Sequence, residues 1–289
     1  MILDLFAGPG GWDVGAADLG LHPVGLEIDP HAVATRYAAG HATWEQPVDL
    51  VTDEQLTALA GTVQGLIASP PCQDFSAAGK RAGIDGDRGD LMWQVPRYVE
   101  ALRPRWVACE QVPPALAWYE LFAHEMRAAG YSVWTGVLNA ADFGVPQTRK
   151  RAFLLASLDR AVQPPEPTHA EGGQEAGMFT PELLPWVTMA DALGCHYEGD
   201  QAWANTRPAT TIVGSFSPEV VAAPGYRKAG DPPRQDTPGS VKITPAQAAT
   251  LQGFPDGYPW TGPKTAVFQQ IGNAVCPPVA AAVLGTLTA

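Results

Sequence analysis

Short apolar runs alternate with segments of helical spacing along the first half of the chain, and that alternation predicts a fold class. Residues 2–6, 23–28, 65–68 and 105–109 are apolar runs of strand length. Between and after them, 11–19, 30–39, 53–59, 91–102 and 115–129 carry apolar side chains three and four apart, the spacing of a helix with one buried face. Strands covered on both sides by connecting helices form a doubly wound α/β sheet, the Rossmann-like architecture. Residues 133–138 and 152–156 lack such a connecting helix and predict an antiparallel end to the sheet.

The texture changes after residue 161. From 162 to about 243 the chain is rich in Pro, Gly and Thr, with short apolar stretches such as Trp186-Val187 and Thr211-Ile212-Val213. Recurring tryptophans and valines argue for a small, loop-rich second domain rather than disorder. Helical spacing returns over 245–251 and 275–287. No internal repeat is visible.

Composition adds bounds. The 289 residues are 46% hydrophobic, enough to bury a full core with a smaller domain attached. No leader-like segment precedes the first strand, and no run is expected to cross a bilayer, so a cytoplasmic enzyme with no membrane partner is the expectation. Four scattered cysteines without a Cys-x-x-Cys pair suggest neither a metal site nor a disulfide framework. The net charge of −12 is unevenly spread. Before Lys80 a single base, Arg36, faces ten acids; from Lys80 to Asp159 ten bases face nine acids; beyond, seven face eleven. Polyanion contact needs only a local basic patch, which the middle of the chain supplies.

Candidate chemistry sits where the predicted strands end. In Ala68-Ser69-Pro70-Pro71-Cys72 the prolines stop the strand and leave a thiol at its C-terminal edge, where open α/β sheets bind ligands. Gly8, Gly10 and Gly11 allow a tight turn after the first strand and close approach of a ligand to a helix start. Glu27 ends the second strand, where such folds hold ribose hydroxyls. Glu110 follows the buried run Trp106-Val107-Ala108-Cys109, and the two-residue spacing of Arg149 and Arg151 predicts a shared face. Residues 77–90 are too glycine-rich and charged for a stable helix.

Five segments, in order, carry a resemblance. Asp4-Leu5-Phe6-Ala7-Gly8-Pro9-Gly10-Gly11, Pro71-Cys72, Glu110-Gln111-Val112, Gln147-Thr148-Arg149-Lys150-Arg151 and Gln270-Ile271-Gly272-Asn273-Ala274-Val275 resemble the motifs of DNA (cytosine-5) methyltransferases of bacterial or phage type. The resemblance implies transfer of a methyl group from S-adenosylmethionine to C5 of a flipped-out cytosine through a Cys–C6 adduct. It assigns 1–160 to catalysis and cofactor binding, 161–243 to target recognition and 244–289 to a return to the catalytic domain.

By that resemblance the catalytic residues are Cys72, Glu110, Arg149 and Arg151. Cys72 adds to C6 and turns C5 into an enamine carbon, because unactivated C5 is a poor nucleophile. Glu110 relieves the charge at N3, Arg151 contacts the base O2, and Arg149 helps hold the pocket and lower the thiol pKa. The cofactor falls to Asp4, Phe6, Gly8, Gly10, Gly11, Glu27, Ile28, Asp49, Pro71, Asn273, Ala274 and Val275. Phe6 packs on the adenine, and Asp49 or Asp53 accepts from its amino group. Ile28 stands where an aromatic is common, and Gln111 where Asn is usual.

DNA contact falls to Ser76, Lys80, Arg81, Arg88, Gln147, Arg227 and Lys228, the 77–90 stretch being the loop that closes over the flipped base. Expected partners are double-stranded DNA and a cognate restriction endonuclease, with the protein monomeric. Two alternatives are an RNA-directed (tRNA) cytosine-5 enzyme and an inactive DNA-binding relative. Absence of the Cys-Phe-Thr tripeptide speaks against the first, retention of Cys72 and Glu110 against the second.

Overall fold

The computed structural model describes residues 1–71, 89–178, 180–227 and 231–288. The chain forms two compact units: Met1–Leu138 with Lys150–Pro165 and Ala280–Ala289, and Asn139–Arg149 with Glu166–Val279. Residues 244–279, expected to return to the catalytic domain, belong instead to the unit of the loop-rich segment, as do Asn139–Arg149.

The strands are β1 (Ile2–Leu5), β2 (Val24–Leu26), β3 (Thr43–Trp44), β4 (Gly65–Ala68), β5 (Trp106–Gln111), β6 (Ser132–Asn139), β7 (Gln147–Thr148) and β8 (Lys150–Ser157). Among the described residues the first unit holds a seven-stranded sheet in the order β3-β2-β1-β4-β5-β8-β6. From β3 through β5 the pairs are parallel, and β8 runs antiparallel to β5. Helices α1 (Gly11–Ala17), α2 (Pro30–Ala38), α3 (Asp53–Leu59), α4 (Gln94–Leu102) and α5 (Leu116–Ala128) connect the strands. This is the expected Rossmann-like sheet with its antiparallel end. The order reverses between β1 and β4, the switch point beside which open α/β sheets bind ligands.

Local sequence explains the elements. β4 is Gly-Leu-Ile-Ala, buried throughout, as a parallel strand covered on both faces must be. Asp29 caps α2 by accepting from the amides of His31 and Ala32, and Pro30 opens the helix with a φ already set for it. Thr52 and Gln55 form a reciprocal capping box on α3. Leu3, Leu5, Leu66, Val107, Tyr98, Trp118 and Phe122 belong to one apolar core.

Beneath the glycine turn lies a buried polar cluster. The Arg36 guanidinium is fully buried and grips Asp13 with Nη1 and Nη2, at 2.7 and 3.0 Å, while Thr43 Oγ1 and the Ala42 carbonyl accept two more of its donors at 3.0 Å. The lone base of the acidic N-terminal third is therefore spent internally, joining α1 to α2. Its access depends on Gly25, where an added Cβ would lie 2.2 Å from Arg36 Nη2. Asp4, paired with Gly25 across the sheet, is fully buried, and neither carboxyl oxygen has a hydrogen-bond partner among the described residues. Burial first, then the nearby Asp13 charge, raises its pKa well above the usual carboxylate value, against the pull of Arg36.

The second unit is built from short pieces. β9 (His169–Ala170) pairs with β10 (Leu184–Pro185), β11 (Ala209–Thr210) with β7, and β12 (Val220–Val221) with β13 (Val241–Lys242). Helices α6 (Met189–Leu193), α7 (Pro245–Gln252) and α8 (Lys264–Asn273) follow in chain order, and α9 (Pro277–Thr288) begins in this unit and continues from Ala280 as part of the first. Contrary to the sequence expectation, among the described residues one stretch, 264–288, has the length and apolarity of a membrane span, its most apolar 18-residue window reaching a mean hydropathy of 1.4. It is broken into α8 and α9, and 61% of its most apolar window is buried inside the protein, the condition of core helices.

Asp4 generates a pH prediction. Its folded pKa is raised, so unfolding releases a proton and wild-type stability falls as pH rises above about 4, the unfolded carboxylate value. Asp4→Asn carries no such proton, so its stability relative to wild type should climb steadily from acid to neutral pH. Urea unfolding at a series of pH values reads the difference. A variant whose stability relative to wild type is constant across the series would contradict a neutral, buried Asp4.

Candidate active site

Four strand ends in the first unit, those of β1, β2, β4 and β5, carry the candidate chemistry. After β1 the chain turns at Phe6, whose φ of 62° is a left-handed conformation unusual for a bulky residue. Gly8 and Gly10 continue the turn at φ 55° and 105°. The Gly8 amide donates to Glu27 Oε2 at 2.7 Å, and Glu27 Oε1 accepts from the amides of Ile28 and Asp29 at 2.8 Å. Glu27 thus stitches the end of β2 to the glycine turn. An added Cβ at Gly8 would meet nothing within 4 Å, so the turn faces open space.

These residues fit an adenosine-bearing cofactor. Phe6 is half-buried, Ile28 is 62% exposed, and Asp49 is exposed in the short turn Val48–Leu50. The competing acid Asp53 is already committed, accepting from Arg97 Nη2 at 2.6 Å. Gly10 and Gly11 are buried at the start of α1.

The turn that leads to Cys72 is fastened from three sides. The Ser69 amide donates to the Leu5 carbonyl at 3.1 Å, Trp12 Nε1 donates to Ser69 Oγ at 2.9 Å, and Gln111 Nε2 donates to the Pro70 carbonyl at 2.7 Å. Gln111, the departure from the usual Asn, is buried, and its carbonyl oxygen accepts from the Val112 amide. Pro71 is half-buried. Cys72, Ser76, Lys80, Arg81, Arg88 and Lys228 lie outside the described residues.

Glu110, the penultimate residue of β5, is 5% exposed, and Arg151 Nε of the neighbouring β8 forms an ion pair with its Oε1 at 3.1 Å. The register places Glu110 opposite Phe153, so Arg151 reaches it diagonally from two residues away. A carboxylate this buried is tolerable only with such a partner. Arg151 also donates from Nη1 to the Lys150 carbonyl at 2.8 Å. Cys109, one residue earlier in β5, is fully buried, and burial pushes its thiol far above the ordinary value, which disqualifies it as a nucleophile.

The shared face expected for Arg149 and Arg151 is not found. Arg149 falls between β7 and β8 rather than within a strand, so strand alternation does not run through it. Its buried guanidinium donates to carbonyls of its own unit: Ile212 at 3.1 Å, Gly272 at 2.8 Å and Ala274 at 3.3 Å. Gln147 is fully buried there too, donating to the Leu251 carbonyl and to Gln252 Oε1 and accepting from the Ile212 amide. Asn273 is exposed at the end of α8, while Ala274 and Val275 are buried. Arg227 is exposed.

Sequence reading missed Trp12, which braces the turn before Cys72, and the Asp13–Arg36 pair, and it named Gln111 without its bond to the Pro70 carbonyl. Only Gly25, a glycine inside an apolar strand, hinted at a close approach.

The C-5 cytosine-specific DNA methylase family matches residues 1–174 and 188–289. The Type II methyltransferase M.NlaX of Neisseria lactamica is 32% identical, over 98% of this chain and 94% of its own length. M1.HphI of Haemophilus parahaemolyticus is 29% identical, over 97% and 84%. Among solved structures, a putative DNA modification methyltransferase of an E. coli prophage superposes with a TM-score of 0.67 at 24% identity, covering 99% of this chain and 97% of its own. Spodoptera frugiperda DNMT2 superposes with a TM-score of 0.70 at 15% identity, covering 100% and 99%. With its sheet order, its glycine turn and its motifs matched along nearly the whole length, this chain belongs to the C-5 cytosine-specific DNA methylase family.

Proposed function

We propose that this chain is a monomeric cytoplasmic DNA (cytosine-5) methyltransferase serving restriction–modification beside a cognate endonuclease, with Cys72, Glu110 and Arg151 at the reacting base. The observation that carries the reading is the Glu110–Arg151 ion pair at the end of β5, 3.1 Å across, in the strand next to the braced Pro70 turn. The relatives named above are Type II methyltransferases, which supports the restriction–modification role.

Each residue has a stated task. The Cys72 thiolate forms a bond to C6, the C5–C6 π pair shifts to C4–C5 and the C4–N3 π pair to N3, which makes C5 a nucleophilic enamine carbon. Glu110 holds N3 and the exocyclic amine and relieves the charge that accumulates there. Arg151 fixes the carboxyl of Glu110 and meets the base O2. Phe6, Gly8, Gly10, Gly11, Glu27 and Asp49, with Asp4 beneath the turn, hold S-adenosylmethionine, which when bound supplies the electrophilic methyl that C5 takes. Loss of the C5 proton to solvent and expulsion of the Cys72 thiolate restore the ring. Arg149 acts as a positioning residue, tying Ile212 to the Gly272–Ala274 turn.

Duplexes with 5-fluorocytosine at the target should trap the enzyme irreversibly when S-adenosylmethionine is present, because fluorine cannot leave C5 as a proton does. Cys72→Ser should abolish trapping. Cys109→Ser, Cys195→Ser and Cys276→Ser should retain it, since Cys109 and Cys276 are buried and Cys195 lies in the loop-rich second unit. Denaturing gels report the adduct, and one that survives Cys72→Ser would sink the assignment.

The glycine turn gives a separate test. Glu27→Ala should weaken S-adenosylmethionine binding by about 1–3 kcal/mol, the scale of hydrogen bonds lost to a buried polar group, and leave DNA affinity intact. Titration calorimetry with each ligand measures both. Equal losses for cofactor and DNA would show that Glu27 supports the fold rather than the cofactor.

A further inference from the structure

The loop between β11 and β12 is anchored at both ends and strained at its crest. On the entering side Thr211 Oγ1 donates to the Thr148 carbonyl at 2.9 Å, and Ile212 is held by Gln147 at its amide and Arg149 at its carbonyl. The backbone then passes so close to α8 that an added Cβ on Gly272 would lie 2.2 Å from the Gly214 nitrogen. On the leaving side β12 is buried against β13, and Arg234 Nη1 donates to the Val220 carbonyl at 3.1 Å. Only residues 215–219 stand between these anchors.

At the crest Phe216 and Ser217 both adopt left-handed backbone, with φ 56° and 59°, and Phe216 is 65% exposed. Two successive non-glycine residues in that region are unfavourable and persist only where the surroundings over-determine them, which is common at binding sites. Facing the crest, the short turn Arg234–Asp236 carries Gln235, itself exposed. Ser217 Oγ donates to Gln235 Oε1 at 2.7 Å. That bond fixes the plane of the amide. It leaves the two Nε2 donors and one Oε1 lone pair of this exposed side chain without a partner among the described residues.

An exposed amide with one acceptor beside one donor matches the N6 and N7 edge of adenine in the major groove, and an exposed phenyl ring suits the thymine methyl of the same pair. Rigid support behind a small polar and aromatic tip is what discrimination between bases requires. We infer that Phe216, Ser217 and Gln235 form a base-reading element that selects an A·T pair, Gln235 on the adenine and Phe216 on the thymine methyl. The inference rests on the DNA-methyltransferase reading above and assigns part of the target sequence to these residues.

The test is a map of 5-methylcytosine, by bisulfite sequencing, in cells that otherwise lack it and that express the full chain. The wild-type motif should contain an A·T pair at a fixed position. Gln235→Ala should accept other pairs there, its discrimination falling about 10- to 100-fold, while every other motif position is retained. Ser217→Ala should loosen the same position less. Gln235→Glu keeps the acceptor from Ser217 but loses the donors, so it should shift preference towards a pair presenting the cytosine amino group. A merely structural role would not redirect preference. The inference is overturned by a motif of G·C pairs alone, by a Gln235→Ala map identical to wild type, or by uniform loss at all sites with the motif unchanged. Should Gln235→Ala fail to accumulate, an unchanged Gln235→Glu motif overturns it equally. A wild-type chain that methylates no DNA cytosine instead defeats the DNA-methyltransferase reading itself.

Discussion

A carboxylate at 5% exposure must be compensated by a cation, and for Glu110 the compensation is Arg151 at 3.1 Å. That requirement organises the first unit. β8 must run antiparallel beside β5 for a residue at its start to reach the end of β5, which a parallel neighbour in the same place would not provide. On the other side of β5, the parallel pairing with β4 sets Cys109 opposite Ala68, so Gln111 reaches the Pro70 carbonyl. One strand therefore presents the acid and braces the turn that precedes Cys72. The two features seen separately in the sequence are consequences of one register.

A second constraint acts at the other side of the switch point. Glu27 accepts from three backbone amides, one of them in the glycine turn, and the turn bends through a left-handed Phe6. Below it the Asp13–Arg36 pair ties α1 to α2, the helices that follow the glycine turn and Glu27. Strain at Phe6 is held by neighbours that are themselves fixed by buried charge, so the open face of the turn is preorganised rather than formed on demand.

Much of this was legible in the sequence because it is local. Apolar runs of strand length, a glycine turn, Pro30 opening a helix and a proline pair stopping a strand are each decided within a few residues. The unread parts depend on register and distance. Arg36 and Asp13 lie on different helices, and nothing in either segment names the other. Arg149 and Arg151 look alike by spacing, yet a break between β7 and β8 sends the first to backbone carbonyls of the second unit and leaves the second beside Glu110. Helix α8 is not legible in the sequence, because its Gln270-Ile271-Gly272-Asn273 run reads as a motif rather than as helical spacing. Its glycine proves to be the point where residues 213–214 press against the helix. The loop-rich stretch of the second unit, whose strands are two residues long, offers almost no periodicity to read.

In the proposed mechanism Glu110 and Arg151 act as one unit. A double-mutant cycle on single-turnover methyl transfer, with DNA and S-adenosylmethionine saturating, tests it using Glu110→Gln, Arg151→Ala and the two together. Glu110→Gln alone should slow transfer by about 10²-fold or more, the worth of a positioned acid. If Arg151 works through Glu110, the double variant should be scarcely slower than the slower single variant, with a coupling energy of about 1–3 kcal/mol. Losses that simply multiply would contradict the account.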